Sequence, residues 1–179
     1  KKCLSSKINI EGLNSKVYQN LISAMVESKH EWQEIYDVIE EAMEIFPDHP
    51  MFQIYLAKSH HFTNKYEAAL ESYKKTIVLQ ENYTGIEINF VTGKIYEIEY
   101  SIACIYEYKN KEEDALEYYT KALTRKKDYI PALQGLLRLL KKDDETKTIE
   151  ILNNLYDMND KGELETLLKE LTHQRHKKI

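Results

Sequence analysis

The sequence predicts an all-α fold of repeated helical hairpins, and three observations carry that expectation. Glycine (5) and proline (3) are scarce among 179 residues, against average usages of about 7% and 5%. That scarcity disfavours turn-dense sandwiches and barrels. The remaining composition, rich in Glu, Lys, Leu, Ile and Tyr, is that of a helical protein. A spaced pattern of small and aromatic residues also recurs. Ala103, Tyr106, Ala115, Tyr119 and Ala122 stand at offsets of 3, 12, 16 and 19 from the first. The same offsets pick His60, Ala69, Tyr73 and Thr76 from Ala57, and Val26, Ile35, Ile39 and Ala42 from Ser23. No single hairpin can bury its apolar stripe alone, so such units must stack into an α-α solenoid.

The elements follow in order. Residues 1–13 lack clear periodicity and read as a linker or a leading partial helix. Four hairpins follow at about 16–49, 50–83, 96–129 and 130–158, starting at Lys16, Pro50, Tyr96 and Ile130, with start-to-start spacings of 34, 46 and 34 residues. In the second hairpin Ala69, Leu70, Tyr73 and Ile77 keep helical spacing with Lys and Glu between them. The alanines let paired helices approach closely, while Tyr73 and Tyr119 fill the space between layers. Pro47 and Pro131 sit at helix boundaries, where a missing N–H costs least. The fourth hairpin is degenerate, with Leu136 and Leu137 replacing the leucine–small pair and Ile149, Asn153 and Tyr156 at its later positions. Residues 84–95 are an insertion whose Ile86, Ile88, Phe90 and Val91 are too apolar for a free loop, so it packs or extends a flanking helix. Over residues 159–179, Asp160 as N-cap and Leu164, Leu167, Leu168 and Leu171 on one face predict a capping helix, followed by a basic tail.

Across residues 14–158 this pattern resembles the tetratricopeptide repeat, a 34-residue helix–turn–helix with small residues at its eighth, twentieth and twenty-seventh positions. The resemblance implies a right-handed superhelix whose concave groove is lined by the first helix of each unit. Carried over residue by residue, that groove includes Asn20, Met51, Ile54, Lys58, His61, Glu97, Tyr100 and Glu107, continued by Gln134 and Arg138. Such a face either holds an extended or helical peptide or is covered by a neighbouring domain, the insertion or a second copy of the chain. The carboxylate clamp of chaperone-tail binders is missing. Asn20, Ala24, Tyr55, Glu97 and Ser101 stand at its positions, offering a carboxylate no cation and one like charge.

Other functions are disfavoured residue by residue. Gly12, Gly85, Gly93, Gly135 and Gly162 are too far apart for a phosphate-cradling loop. The formal net charge of −5 argues against a general nucleic-acid binder. No apolar run approaches the roughly 18 residues of a membrane span. Cys3 and Cys104 read as free thiols of a reducing compartment, and with no signal-peptide pattern the expected location is cytoplasmic. The absence of an initial Met suggests a piece of something longer. Neighbouring His60 and His61 diverge by about 100° on a helix, so His60 reads as structural. His173 and His176 lack a third ligand, and Cys104 reads as packing. Glu31, Glu34, Asp37, Glu40, Glu41 and Glu44 form a solvated acidic face, and Asp143-Asp144 suits a helix cap. The Asn82-Tyr83-Thr84 sequon means little without a secretory signal. No catalytic, cofactor or metal site is expected.

A narrower resemblance concerns the parent protein. The run from Tyr96 to Leu140, after an insertion containing Gly85 and Gly93, is similar to the tail of certain bacterial family-2 glycosyltransferases, in which tetratricopeptide repeats follow the catalytic domain. Ile151–Tyr156 and Glu163–Leu168 fit the same impression. The chain lacks the D-x-D metal motif and the βαβ stretch of the enzyme part. The resemblance implies a non-catalytic appendage that binds an acceptor protein or self-associates. The alternative is a stand-alone adaptor or peptide-sensing regulator of the same fold.

Overall fold

A computed structural model describes residues 11–83, 91 and 93–140. All regular structure among them is helical: α1 (Glu11–Glu27), α2 (Trp32–Ile45), α3 (Pro50–Phe62), α4 (Tyr66–Glu81), α5 (Ile95–Tyr108), α6 (Glu112–Arg125) and α7 (Ile130–Leu140). The chain divides into two compact units, Lys1–Lys94 and Ile95–Ile179. The first contains α1–α4 and the second α5–α7. Helix α1 starts inside the segment expected to be a linker or a leading partial helix. The second helix of the fourth hairpin, the capping helix and most of the insertion lie outside the described residues, as do Cys3, Asp143-Asp144, His173, His176 and the basic tail.

In the first unit α2 shows why these segments are helical. Ile35, Ile39 and Ala42 recur one helical turn apart and are buried, while Glu34, Asp37, Glu40, Glu41 and Glu44 occupy the outer side. They pack with Tyr18 and Ile22 of α1 and Phe52 of α3. The next helix opens on Pro50, whose missing N–H is harmless at a first position, and His49 caps it by accepting the Met51 N–H at 3.2 Å. Helices α3 and α4 are joined by a three-residue turn that folds one back on the other, and His60 meets Ser72 while His61 meets Tyr73.

In the second unit α5 and α6 repeat that arrangement, with Glu107 meeting Tyr119 and Glu99 meeting Arg125. Ala57, Ala69, Tyr73 and Thr76 in one hairpin, and Ala103, Ala115, Tyr119 and Ala122 in the other, are all at most 3% exposed. The spaced residues therefore do mark buried positions of these two hairpins. The first hairpin keeps the pattern only on α2: Ser23 is half-buried and bonded to the Tyr55 hydroxyl at 2.8 Å, and Val26 is exposed. Helix α7 packs on α6 and α5. It does so through Gly135, where an added Cβ would stand 2.5 and 2.8 Å from the two ε carbons of Tyr119. Overpacking of this kind costs about 1–3 kcal/mol, against about 1 kcal/mol of helix propensity gained. Gly135→Ala is therefore expected to lower stability by about 1 kcal/mol in urea unfolding.

The hairpin turns share one geometry. Lys29, Asn64 and Asn110 have φ of 56°, 59° and 56°. The residue after each donates its N–H five residues back: His30 to Met25, Lys65 to His60, and Lys111 to Tyr106, at 2.8–3.0 Å. These are Schellman ends, in which a left-handed residue closes the helix. Asparagine tolerates that conformation; lysine does so at about 1–2 kcal/mol. Lys29→Gly is thus expected to raise stability by about 1 kcal/mol, read as a higher urea midpoint. The turns entering α3 and α7 also match, with His49 N–H donating to Phe46 O at 3.3 Å and Tyr129 N–H to Lys126 O at 3.2 Å. Of the insertion, Val91 is fully buried and its carbonyl accepts the Lys94 N–H at 2.9 Å, in a turn that places Gly93 at φ +77°.

Candidate interaction surfaces

In the first unit the expected groove residues separate. Asn20 is exposed on α1. Met51 and Ile54 are only 3% and 5% exposed, so they belong to the interior and offer no open surface. Lys58 and His61 are half-buried. His61 Nδ1 lies 3.3 Å from the Tyr73 hydroxyl, with the rings of Phe62, Tyr66 and Tyr73 around it. Its neighbour His60 lies 3.4 Å from Ser72 Oγ and against the Tyr36 ring.

Burial is the leading cause that lowers the pKa of both histidines below the usual 6.5. The folded state therefore favours the neutral rings. Their contribution to stability is full above about pH 6.5 and is lost as pH falls below it through the lowered folded values. A urea midpoint that drops between about pH 7 and about pH 5 is expected, with a shallower drop in the His60→Gln/His61→Gln variant.

The second unit gathers its expected residues more closely. Tyr100 packs against Tyr119 and Tyr129, at centroid distances of 5.9 and 5.5 Å, and Tyr129 meets Tyr96 edge-on at 4.8 Å. Glu97 accepts from the Tyr96 hydroxyl at 3.2 Å. Arg138 on α7 reaches Glu107 on α5 in a two-pronged contact, Nε to Oε1 and Nη2 to Oε2, both 2.6 Å. These two were expected as separate charges on a groove rim; they neutralise one another. Glu107 also accepts the Tyr119 hydroxyl at 2.6 Å, and Cys104 Sγ lies 3.6 Å from that oxygen. Burial, then these hydrogen bonds, push the Tyr119 phenol far above its usual range. Gln134 is exposed, one helical turn from Arg138. The result is a face of half-covered tyrosines beside a fixed guanidinium.

Two features escaped sequence reasoning. Glu99, only 3% exposed, accepts from Arg125 Nε at 2.9 Å. A signal existed, because Gln53 and Gln19 occupy the equivalent first-helix position 46 and a further 34 residues earlier and are buried too. The other feature is a shallow hollow of about 370 Å³ on α2 and α3, lined by Tyr36, Glu40, Met43, Glu44 and Leu56.

Among the described residues no three His, Cys, Asp or Glu side chains converge as metal ligands, and no helix is long and apolar enough to cross a membrane. No protein-family model matches the chain, and no curated protein does.

Proposed function

We propose that the chain is an array of tetratricopeptide-like hairpins serving as a non-catalytic protein-interaction module. We further propose that it is the repeat appendage of a bacterial family-2 glycosyltransferase, binding an acceptor protein or a second copy of itself in the cytoplasm. The observation that carries the repeat reading is the shared register of α3–α4 and α5–α6. Four equivalent buried positions recur 46 residues apart, with the same left-handed turn between the paired helices. Arrays of this kind act through surface, and the side chains for recognition lie on the second unit. Half-exposed tyrosines and arginine are the residue types that dominate binding energy at interfaces, and Tyr100 and Arg138 stand there with the exposed Gln134.

A photo-crosslinking amino acid at Gln134, in the native host, tests this. The expected result is a discrete covalent adduct with one protein, either the chain itself or an acceptor, that the same label at Lys75 does not give. Labelling no stronger at Gln134 than at Lys75 would remove the interaction reading, and turnover of a nucleotide sugar by the purified chain would remove the non-catalytic one. The coding region upstream tests the parent separately: a segment bearing a D-x-D motif supports the appendage, and its lack favours a stand-alone adaptor.

A further inference from the structure

The hollow on α2 and α3 is independent of the tyrosine face, and its chemistry is specific. Its volume of about 370 Å³ is at the small end of ligand sites, which run from about 300 to 1,000 Å³. That suits a single inserted side chain better than a cofactor. Met43 and Leu56 supply an apolar lining, Tyr36 supplies an aromatic ring, and Glu40 and Glu44 supply carboxylates. Glu44 has no cationic partner among the described residues, and Glu40 engages the Tyr36 phenol, whose proton it helps retain. Lys65 Nζ stands 5.9 Å from the Tyr36 ring centre, and the His60 ring lies 6.0 Å from it. Around the hollow, α2 carries five acidic residues and no basic one.

We infer that this hollow seats an arginine side chain of a basic partner peptide. Its methylenes would lie on Met43 and Leu56, its guanidinium plane against Tyr36, and its N–H groups on Glu40 and Glu44. Arginine fits better than lysine because a planar guanidinium can stack on a ring and bond carboxylates at once, whereas a compact ammonium is more strongly hydrated. The acidic surface of α2 would steer such a peptide toward the hollow and make association salt-dependent.

The test uses the full chain and a fluorescent 12-residue Ala/Arg/Leu peptide, titrated by anisotropy beside a counterpart with every arginine replaced by neutral citrulline. Saturable binding is expected for the arginine peptide, weakened at least about fivefold by citrulline and by Glu40→Gln/Glu44→Gln. Met43→Ala should also weaken it. The charge-matched control Glu31→Gln/Glu34→Gln, at the far end of the same helix, should change affinity less than about twofold. Equal losses in the two charge pairs would overturn the inference in favour of a diffuse acidic face. Undiminished citrulline binding, or no saturable binding at all, would also overturn it. Since Gln134 lies in the other unit, failure here leaves the crosslinking result unaffected, and the reverse holds.

Discussion

Replacing Tyr119 by alanine is expected to destabilise the chain by about 3–5 kcal/mol, the range for emptying an aromatic site in a packed core. Its ring is fully buried between α5 and α7, over Gly135 and against Tyr100. Its hydroxyl donates to Glu107 at 2.6 Å. Tyr119→Phe separates these contributions, because it keeps the ring and removes only the phenol. Glu107 would keep the two Arg138 hydrogen bonds, so the phenylalanine variant should cost only about 1–2 kcal/mol. Urea unfolding of both variants checks the division. Equal losses would mean that the hydroxyl, rather than the ring, holds α7 in place.

Arg125→Ala is expected to cost about 2–3 kcal/mol, more than a surface ion pair would suggest. Exposed pairs contribute about 0–1 kcal/mol, but here one partner is inside: Glu99 is 3% exposed, while the Arg125 side chain is 41% exposed. Removing the cation leaves a carboxylate in the interior without this partner, a situation that costs about 3–5 kcal/mol when both groups are fully buried. The half-exposed arginine reduces that figure. Replacing both residues by leucine should recover most of the loss, because no charge then remains to be buried. A double-mutant cycle in urea reads the coupling directly. A single-mutant cost below about 0.5 kcal/mol would assign the carboxylate's compensation to its other neighbours.

The helical class and the buried positions of the two clearest hairpins were legible in the sequence because both depend on local spacing. A side chain every third or fourth residue defines a face, and only alanine or glycine lets two backbones approach there. Hence Ala57, Ala103 and Ala115 mark buried contacts without any knowledge of the neighbours. The surface was less legible, because exposure depends on what lies opposite. Met51 and Ile54 have the spacing of a groove, yet the surrounding packing encloses them. Glu107 and Arg138 are 31 residues apart, and nothing in either segment announces their contact. Residues 11–13 carry no apolar period that would tell a linker from the start of α1. Gly135 could be noticed as a helical glycine, but its reason, the ring of Tyr119, lies on another helix. The acidic spacing of α2 carries no sign of the hollow beside it, because the hollow also needs Leu56 from α3.

The stacking of Trp32 on Phe62, with ring centres 4.7 Å apart and planes within 12°, has a practical consequence. Trp32 is the chain's only tryptophan, and it lies in the first unit. Its emission spectrum therefore reports the loosening of α2 from the end of α3. Far-ultraviolet dichroism sees helices everywhere. Recorded on one sample, the two signals would coincide if the chain melts as a single cooperative body, and would separate if either half can come apart first.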